Sequence, residues 1–366
     1  MVYRVIGLMS GSSLDGLDIS FAEFQEISGK WNYELLASAC YPYNEDWGLR
    51  LKSAHTLSAI DYQLLHTEYG HYIGKEVKRF IQENALEYKV QLIASHGHTT
   101  FHIPSKLMTG QIGDGASIAA VTGINVVSDL RAMDIALGGH GAPIVPIGEK
   151  MLLGDYDFFL NVGGIANISF NGNNKYVAFD ICPANRVMNL VTLEDDKPYD
   201  EGGKMAREGN IDETTLGVLN TLEYYQDPYP KSLANSFGTD IVFPLLDNIS
   251  SSHDRLRTYV EHIAIQIKDA VQLISTDFSL SSSGRKLLIT GGGAHNVFLV
   301  ERIREHLSAL QVEVIVPAKD LVEYKEALIM GLIGILRWRE ENNVLASVTG
   351  ASRNSIGGAV WIGQEA

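Results

Sequence analysis

Three clusters of glycine follow apolar runs in this chain. They are Ser10-Gly11-Ser12-Ser13-Leu14-Asp15-Gly16, Gly163-Gly164 and Gly291-Gly292-Gly293. Backbone amides can close on a phosphate only where no Cβ stands in the way, so glycine turns after strands suit an anion. One such turn alone could be a tight turn and no more. Three of them in one chain point to a phosphorylated ligand. Neither standard nucleotide loop fits: Gly11 to Gly16 lacks the Lys-Ser/Thr ending, and no G-x-G-x-x-G opens a helix after a strand.

Three carboxylates stand where they could act beside such turns. Asp180 ends the alternating run Tyr176-Val177-Ala178-Phe179 and precedes Ile181-Cys182-Pro183-Ala184-Asn185. At the mouth of a strand it could serve as a general base, or cap the segment that begins at Pro183. Asp15 and Asp18 flank the first turn and could hold Mg²⁺ directly or through water, or simply cap the turn.

Two further clusters are polar. Ser95-His96-Gly97-His98 brings two imidazoles together without an acidic or Cys ligand at metal spacing. We read it as a loop that hydrogen-bonds a polar ligand. Asp129-Leu130-Arg131-Ala132-Met133-Asp134 leads into Gly138-Gly139-His140-Gly141-Ala142-Pro143. Arg131 there could clamp a carboxylate bidentately or close an interlobe salt bridge.

The first forty residues predict three strands to carry the first turn: Val2 to Leu8, Asp18 to Phe24 and Tyr33 to Ala39. An amphipathic helix is predicted from about Ser58 to Asn84, with Ile60, Leu64, Leu65, Tyr72, Ile73, Val77, Phe80 and Ile81 as its apolar positions. The strand Val90 to Ala94 follows. The pattern then recurs, with strands at Tyr156 to Asn161, Ile165 to Phe170 and Tyr176 to Ile181. A helix at Arg255 to Ile274 and a strand at Lys286 to Ile289 complete the second copy. The repeat predicts two similar lobes with a ligand in the cleft between them.

Composition narrows the ligand. Hydrophobic residues make up 45% and charged residues 20%, enough for an ordinary buried core. The formal net charge of −15 comes with no run of Lys and Arg, which argues against a nucleic-acid partner. A nucleotide remains compatible, since amides and Mg²⁺ can neutralise it. Two cysteines, Cys40 and Cys182, exclude a disulfide framework and fit a reducing compartment. No signal peptide and no bilayer-length apolar segment is expected, so the reading is a soluble, cytoplasmic chain with no membrane partner.

Together these motifs resemble the anhydro-N-acetylmuramic acid kinases, of the sugar kinase, heat-shock chaperone ATPase and actin superfamily. The resemblance covers essentially the whole chain. It rests on Gly7 through Asp18, Ser95 through His98, Asp129-Leu130-Arg131, Gly141-Ala142-Pro143 and Asn161 through Ser169. Phe179-Asp180, Gly291 through Asn296, Lys325-Glu326-Ala327 and Thr349-Gly350-Ala351 complete it. It implies an α/β fold of two duplicated actin-like, ribonuclease H-like lobes, with mixed sheets flanked by helices. We expect residues 1–128 plus 343–366 to form the N-terminal lobe and 129–342 the C-terminal lobe.

The reaction implied is an ATP- and Mg²⁺-dependent opening of 1,6-anhydro-N-acetylmuramic acid with phosphorylation of O6, giving N-acetylmuramic acid 6-phosphate for cell-wall recycling. Asp180 matches the catalytic residue. The ATP-binding residues implied are Gly11, Ser12, Ser13, Leu14, Asp15, Gly16, Leu17, Asp18, Gly163, Gly164, Gly291, Gly292, Gly293 and Asn296. Glu326, Arg131, His96 and Asp134 would touch the sugar, and Asp15 and Asp18 the metal. A homodimer is the expected assembly. Two alternatives stand beside this reading: an ordinary sugar hydroxyl kinase of the same fold, or a chaperone-like, regulatory ATPase.

The chain departs from the family's usual pattern in three places. Ser12 replaces a Thr; Ile181-Cys182-Pro183-Ala184-Asn185 replaces Thr-Gly-Pro-Gly-Asn; and Leu233-Ala234-Asn235-Ser236 stands where Thr-Gly-Arg-Glu is usual.

Overall fold

The computed structural model describes residues 1–11, 13–172, 176–234, 236–280 and 284–364. Ser12, one of the expected nucleotide ligands, lies outside them. By contacts the chain divides into Met1–Gly154 with Tyr324–Ala366, and Asp155–Glu323. Residues 129–154 and 324–342, expected with the second lobe, therefore group with the first.

In the first unit the chain runs β1 (Val2–Ser10), β2 (Gly16–Ile27), β3 (Lys30–Pro42), α1 (Glu45–Ser53), α2 (Ala59–Glu83), β4 (Leu92–Ile103), β5 (Met108–Ile112), α3 (Gly115–Thr122), β6 (Val126–Ser128), α4 (Ala132–Ala136) and α5 (Pro146–Leu152). The second unit holds β7 (Phe158–Val162), β8 (Ile165–Asn171), β9 (Tyr176–Pro183), α6 (Asn185–Leu193), α7 (Lys204–Glu208), α8 (Glu213–Asn220), α9 (Phe243–Leu246), α10 (Ser252–Asp277), β10 (Arg285–Thr290), α11 (Val297–Ser308) and β11 (Val312–Ile315). α12 (Lys319–Trp338) carries the chain back, with a non-helical Tyr324 (φ −114°, ψ 16°), before α13 (Ala346–Thr349) and β12 (Ala359–Trp361).

The sheets repeat one plan. Among the described residues the first has seven strands in the order β12-β6-β4-β1-β2-β3, with β5 paired to β4. The second has five, ordered β11-β10-β7-β8-β9. Each opens with an antiparallel meander, β1-β2-β3 or β7-β8-β9. Each continues with parallel strands on the other side of its first strand, β4 and β6 or β10 and β11. The duplication expected from the sequence is thus a duplication of topology.

Each sheet buries one face under a long helix. In the first unit Ile6, Ile19 and Phe21 join Tyr69, Ile73, Val77 and Phe80 of α2 in one apolar cluster. The stripe 65-69-73-77 is an i, i+4 row, the geometry that keeps side chains on one helix face. Ile60 and Leu64, expected on that face, fall off the row and are exposed. In the second unit Phe158, Leu160 and Ile168 cluster with Tyr259, Ile263, Ile267 and Val271 of α10. Ser58 and Ser251 start the two helices, accepting from the Asp61 and Asp254 amides.

One expected loop is a strand. His96 and His98 lie within β4, because β1 and β5 pair with this stretch on its two sides. The polar run survives there through Gly97, at φ +72°, and a register shift between Leu8 and Ser10 of β1.

Candidate functional site

β1, β4 and β6 run parallel, so their C-terminal ends share one edge of the first sheet. Ligands of open α/β sheets gather at such an edge. The first glycine turn leaves β1 there, and Asp129-Leu130-Arg131 leaves β6 there. In the turn, Ser13 Oγ donates to Asp15 Oδ1 at 2.6 Å and the Leu14 amide donates to the Gly11 carbonyl at 3.4 Å. Leu14 adopts φ +59°, a conformation costly for a side chain of its size. Leu17 is a core residue of β2, so it can meet a ligand through its main chain only. Asp15 is exposed and Asp18 half-buried. Both are hard oxygen donors of the kind Mg²⁺ takes, and they sit three residues apart at one turn, so their chemistry fits that ion.

Arg131 and His96 form a second feature of this unit. Arg131 Nε donates to His96 Nε2 at 2.8 Å, and its Nη1 donates to the Gly141 carbonyl. His96 Nδ1 stands 2.9 Å from the Gly97 carbonyl. Donation by Nδ1–H and acceptance at Nε2 satisfy both contacts, which fixes a neutral tautomer. Burial, helped by the Arg131 charge, holds the imidazole down to about 3. Burial also pushes Arg131 down to about 10, against the pull of Glu326 and Asp134. Asp134 has both oxygens engaged: Oδ2 accepts from the Gly141 amide at 2.7 Å and Oδ1 from Thr349 Oγ1 at 2.6 Å. Asp134 therefore braces the Gly138–Ala142 loop, and Arg131 keeps one of its three nitrogens outside these contacts.

Glu326 is exposed on α12 and electrostatically coupled to Arg131. Its neighbour Lys325 makes a buried 3.0 Å ion pair with Glu149 of α5. α12 presses closely on β1 here: a Cβ on Gly7 would stand 1.8 Å from the Ala327 carbonyl oxygen. Gly7 is thus required by packing.

The second unit brings the other two glycine turns together. Gly291 (φ +80°) lies so close to β7 that a Cβ would meet Asn161 Oδ1 at 2.4 Å, and one on Gly293 would meet Val162 Cγ1 at 2.3 Å. The start of α6 folds onto Gly163-Gly164: the Ala184 amide donates to the Gly164 carbonyl at 2.8 Å and the Asn185 amide to the Gly163 carbonyl at 3.1 Å. Asn185 Nδ2 donates to the Val162 carbonyl at 3.1 Å, and a Cβ on Gly292 would lie 3.4 Å from the same nitrogen. Asn296 Oδ1 caps α11 by accepting from the Leu299 amide at 3.0 Å.

Asp180 lies opposite Asn167 next to a register shift, and β9 runs on to Pro183, so the strand does not end at Asp180 as expected. It is not a helix cap, since Ala184 occupies that position for α6. Its Oδ2 accepts from the Leu233 amide at 2.9 Å, its amide donates to the Lys231 carbonyl at 3.1 Å, and its carbonyl accepts from Tyr224 Oη at 2.6 Å. The segment 224–233 thus fastens Asp180 at three points. Burial raises its pKa, and the Leu233 hydrogen bond offsets part of that rise. A carboxylate so placed is a competent general base.

Two contributors carry little signal in the sequence. Leu233 acts through its amide, to which its residue type gives no clue. Arg186 is exposed at the start of α6, and a Cβ on Gly164 would lie 3.8 Å from its Nε. A cation immediately after Pro183-Ala184-Asn185 was the available signal.

A family model for anhydro-N-acetylmuramic acid kinase matches residues 3–363. Relatives described by that same name include one from Sulfurovum sp. (strain NBC37-1), 32% identical over 98% of this chain and 99% of its own. Another, from Aliivibrio fischeri, is 33% identical over 98% and 99%. A third, from Vibrio cholerae, is 32% identical over 97% of each. Among solved structures, the activator of the 2-hydroxyisocaproyl-CoA dehydratase from Clostridium difficile with bound ADPNP is similar at a TM-score of 0.45 and 12% identity, covering 92% of this chain and 96% of that one.

Proposed function

The chain belongs to the anhydro-N-acetylmuramic acid kinase family, and from that premise we propose how its own residues divide the work of an ATP-dependent kinase in cell-wall recycling. Asp180 takes a proton from water. The water oxygen bonds to C1 of the 1,6-anhydro sugar, the C1–O6 bond breaks, and the electron pair leaves on O6. O6 then bonds to the γ-phosphorus of ATP as ADP departs. No separate acid is needed for the leaving oxygen, because the phosphoryl group captures it. What remains is positioning and charge neutralisation.

In this reading Gly11, Ser13, Asp15, Gly16, Gly163, Gly164 and Gly291–Gly293 offer main-chain amides and close approach to the nucleotide. Arg186 supplies a charge beside Gly164. Asp15 and Asp18 would hold Mg²⁺, which supplies neutralisation of the developing phosphate charge when bound. Glu326 and the remaining nitrogen of Arg131 face the sugar, while His96 and Asp134 support them from behind. The protein is taken to work in the cytoplasm as a homodimer.

The observation that carries the assignment is Asp180, with burial raising its pKa and three hydrogen bonds holding it, in the unit where two glycine turns converge. Incubation with ATP and either 1,6-anhydro-N-acetylmuramic acid or N-acetylmuramic acid tests it. ADP release with the anhydro sugar and formation of the 6-phosphate are expected. Turnover of the open sugar alone would favour an ordinary hydroxyl kinase.

A further inference from the structure

Beneath the first glycine turn runs a chain of hydrogen bonds to which the kinase reading gives no role. Tyr69, buried on α2, stands with its hydroxyl 2.5 Å from that of Tyr43. Tyr43 Oη donates to Ser10 Oγ at 2.8 Å, and Ser10 Oγ lies 3.0 Å from His98 Nδ1. Ser10 and His98 are buried, and their strands pair at this level. Tyr43 also reaches the far side of the turn, since its amide donates to the Asp15 carbonyl at 3.4 Å. One residue therefore spans the loop: its hydroxyl holds the entrance at Ser10 and its amide the exit at Asp15.

The proton order in this chain follows from its members. Tyr43 gives its proton to Ser10, so the Tyr43 oxygen receives that of Tyr69. Ser10 then has its own proton to place, and His98 Nδ1 can take it only as the unprotonated nitrogen of a neutral ring. Burial favours that ring state by lowering the His98 pKa, and it keeps both tyrosines protonated by raising theirs. All bonds then point one way, Tyr69 to Tyr43 to Ser10 to His98, the arrangement in which each bond strengthens the next. The turn needs such a brace, because Leu14 sits in the left-handed region and would relax without one.

We propose that Tyr43 and His98 are positioning residues for the triphosphate: through Ser10 and Asp15 they clamp the first glycine turn so that its amides stay aimed at the anion. This rests on the nucleotide assignment of that turn.

The test is calorimetric titration of the full chain with a Mg²⁺-bound, non-hydrolysable ATP analogue and, separately, with adenosine. The variants are Tyr43→Phe, His98→Leu and His98→Asn. Asn places an oxygen acceptor where Nδ1 stood, whereas Leu and Phe remove one partner each. Tyr43→Phe and His98→Leu should bind the analogue about 3- to 10-fold more weakly, the range of one net hydrogen bond. Adenosine affinity should be unchanged, and His98→Asn should restore most of the loss. If His98→Leu does not fold, Tyr43→Phe lacks a single hydroxyl and decides the question. Wild-type affinity for the analogue in folded Tyr43→Phe, or equal losses for analogue and adenosine, would overturn the proposal and leave the kinase reading standing. A wild-type chain that binds no analogue overturns both.

Discussion

The Asp180 carboxylate is held by the main-chain amide of Leu233, at 2.9 Å. Leu233 begins the stretch in which this chain lacks the family's usual Arg and Glu. The contact survives because any residue but proline provides an amide. The Lys231 carbonyl and Tyr224 hydroxyl fasten the Asp180 main chain in the same way. Burial still raises the carboxylate's pKa above its ordinary 3.8. A base works only when unprotonated, so kcat/KM should fall on the acid side, along a limb displaced upward from that of an ordinary aspartate. A profile flat down to pH 4 would count against Asp180 as the base.

Gly292 has no left-handed φ to preserve, and a Cβ there would meet only Asn185 Nδ2, at 3.4 Å. Gly292→Val should therefore fold. Its branched side chain would stand where the nucleotide is proposed to lie, weakening ATP binding by about tenfold or more, ~1.4 kcal/mol. Arg186→Ala should raise the KM for ATP and leave the sugar KM alone. Steady-state kinetics with each substrate varied checks both, and unchanged ATP constants would remove these residues from the nucleotide site.

Arg131→Lys is the discriminating change in the first unit. Lysine cannot reach the His96 nitrogen and the Gly141 carbonyl together, as the planar guanidinium does. The sugar KM should rise more than the ATP KM, and Tm should drop because the loop brace is lost. A lowered Tm with both KM values intact would assign Arg131 to structure alone.

How far the sequence could be read depends on what kind of contact was at stake. The strands of the second meander showed in period-two runs such as Tyr176–Ile181, since burial on one face writes itself into alternation, whereas the direction of their pairing leaves no such mark. Asp180 and the glycine turns could be singled out as candidates because the chemistry proposed for them demands particular residue types. Asp134, which the resemblance put against the sugar, has its oxygens on the Gly141 amide and Thr349, a loop contact that its residue type does not announce. The histidines of β4 read as loop because strand pairing on both sides, which overrides local polarity, cannot be seen from within one segment. Tyr43 carried no signal, since its value lies in distances to residues more than 25 positions away.

Buried neutral histidines make acid stability a test of the packing. His96 and His262 are each held down to about 3, chiefly by burial. His262 Nδ1 donates to Asn220 Oδ1 at 2.7 Å, which leaves Nε2 of the neutral ring to accept from Tyr225 Oη at 3.0 Å. The unfolded chain takes up these protons near pH 6.5, whereas the folded chain refuses them until about pH 3. Stability should therefore decline as pH falls through that window, with slope proportional to the excess protons bound by the unfolded state. His262→Gln should flatten part of the decline in urea melts at pH 7, 5.5 and 4. Parallel slopes for the two proteins would show that His262 accepts its proton while folded.

Asp180 offers the sharpest test of the chemistry. Asn keeps the side chain's shape and an oxygen for the Leu233 amide, but it cannot accept a proton. Asp180→Asn should lower kcat by the ~10²–10⁴ of a lost general base, with Tm near the wild-type value. The loss alone does not say which proton Asp180 takes. If it activates water, reaction in ¹⁸O-labelled water places the label on C1 of the sugar, because the water oxygen forms that bond. The phosphoryl group stays unlabelled, since O6 attacks phosphorus. If Asp180 instead deprotonates a free hydroxyl, the wild-type enzyme should phosphorylate N-acetylmuramic acid without new label at C1 beyond anomeric exchange, and leave the anhydro sugar untouched. Mass spectrometry of the product separates the two. Label in the phosphoryl group, the mark of water attacking phosphorus, would overturn both and leave an ATPase that only turns over its nucleotide.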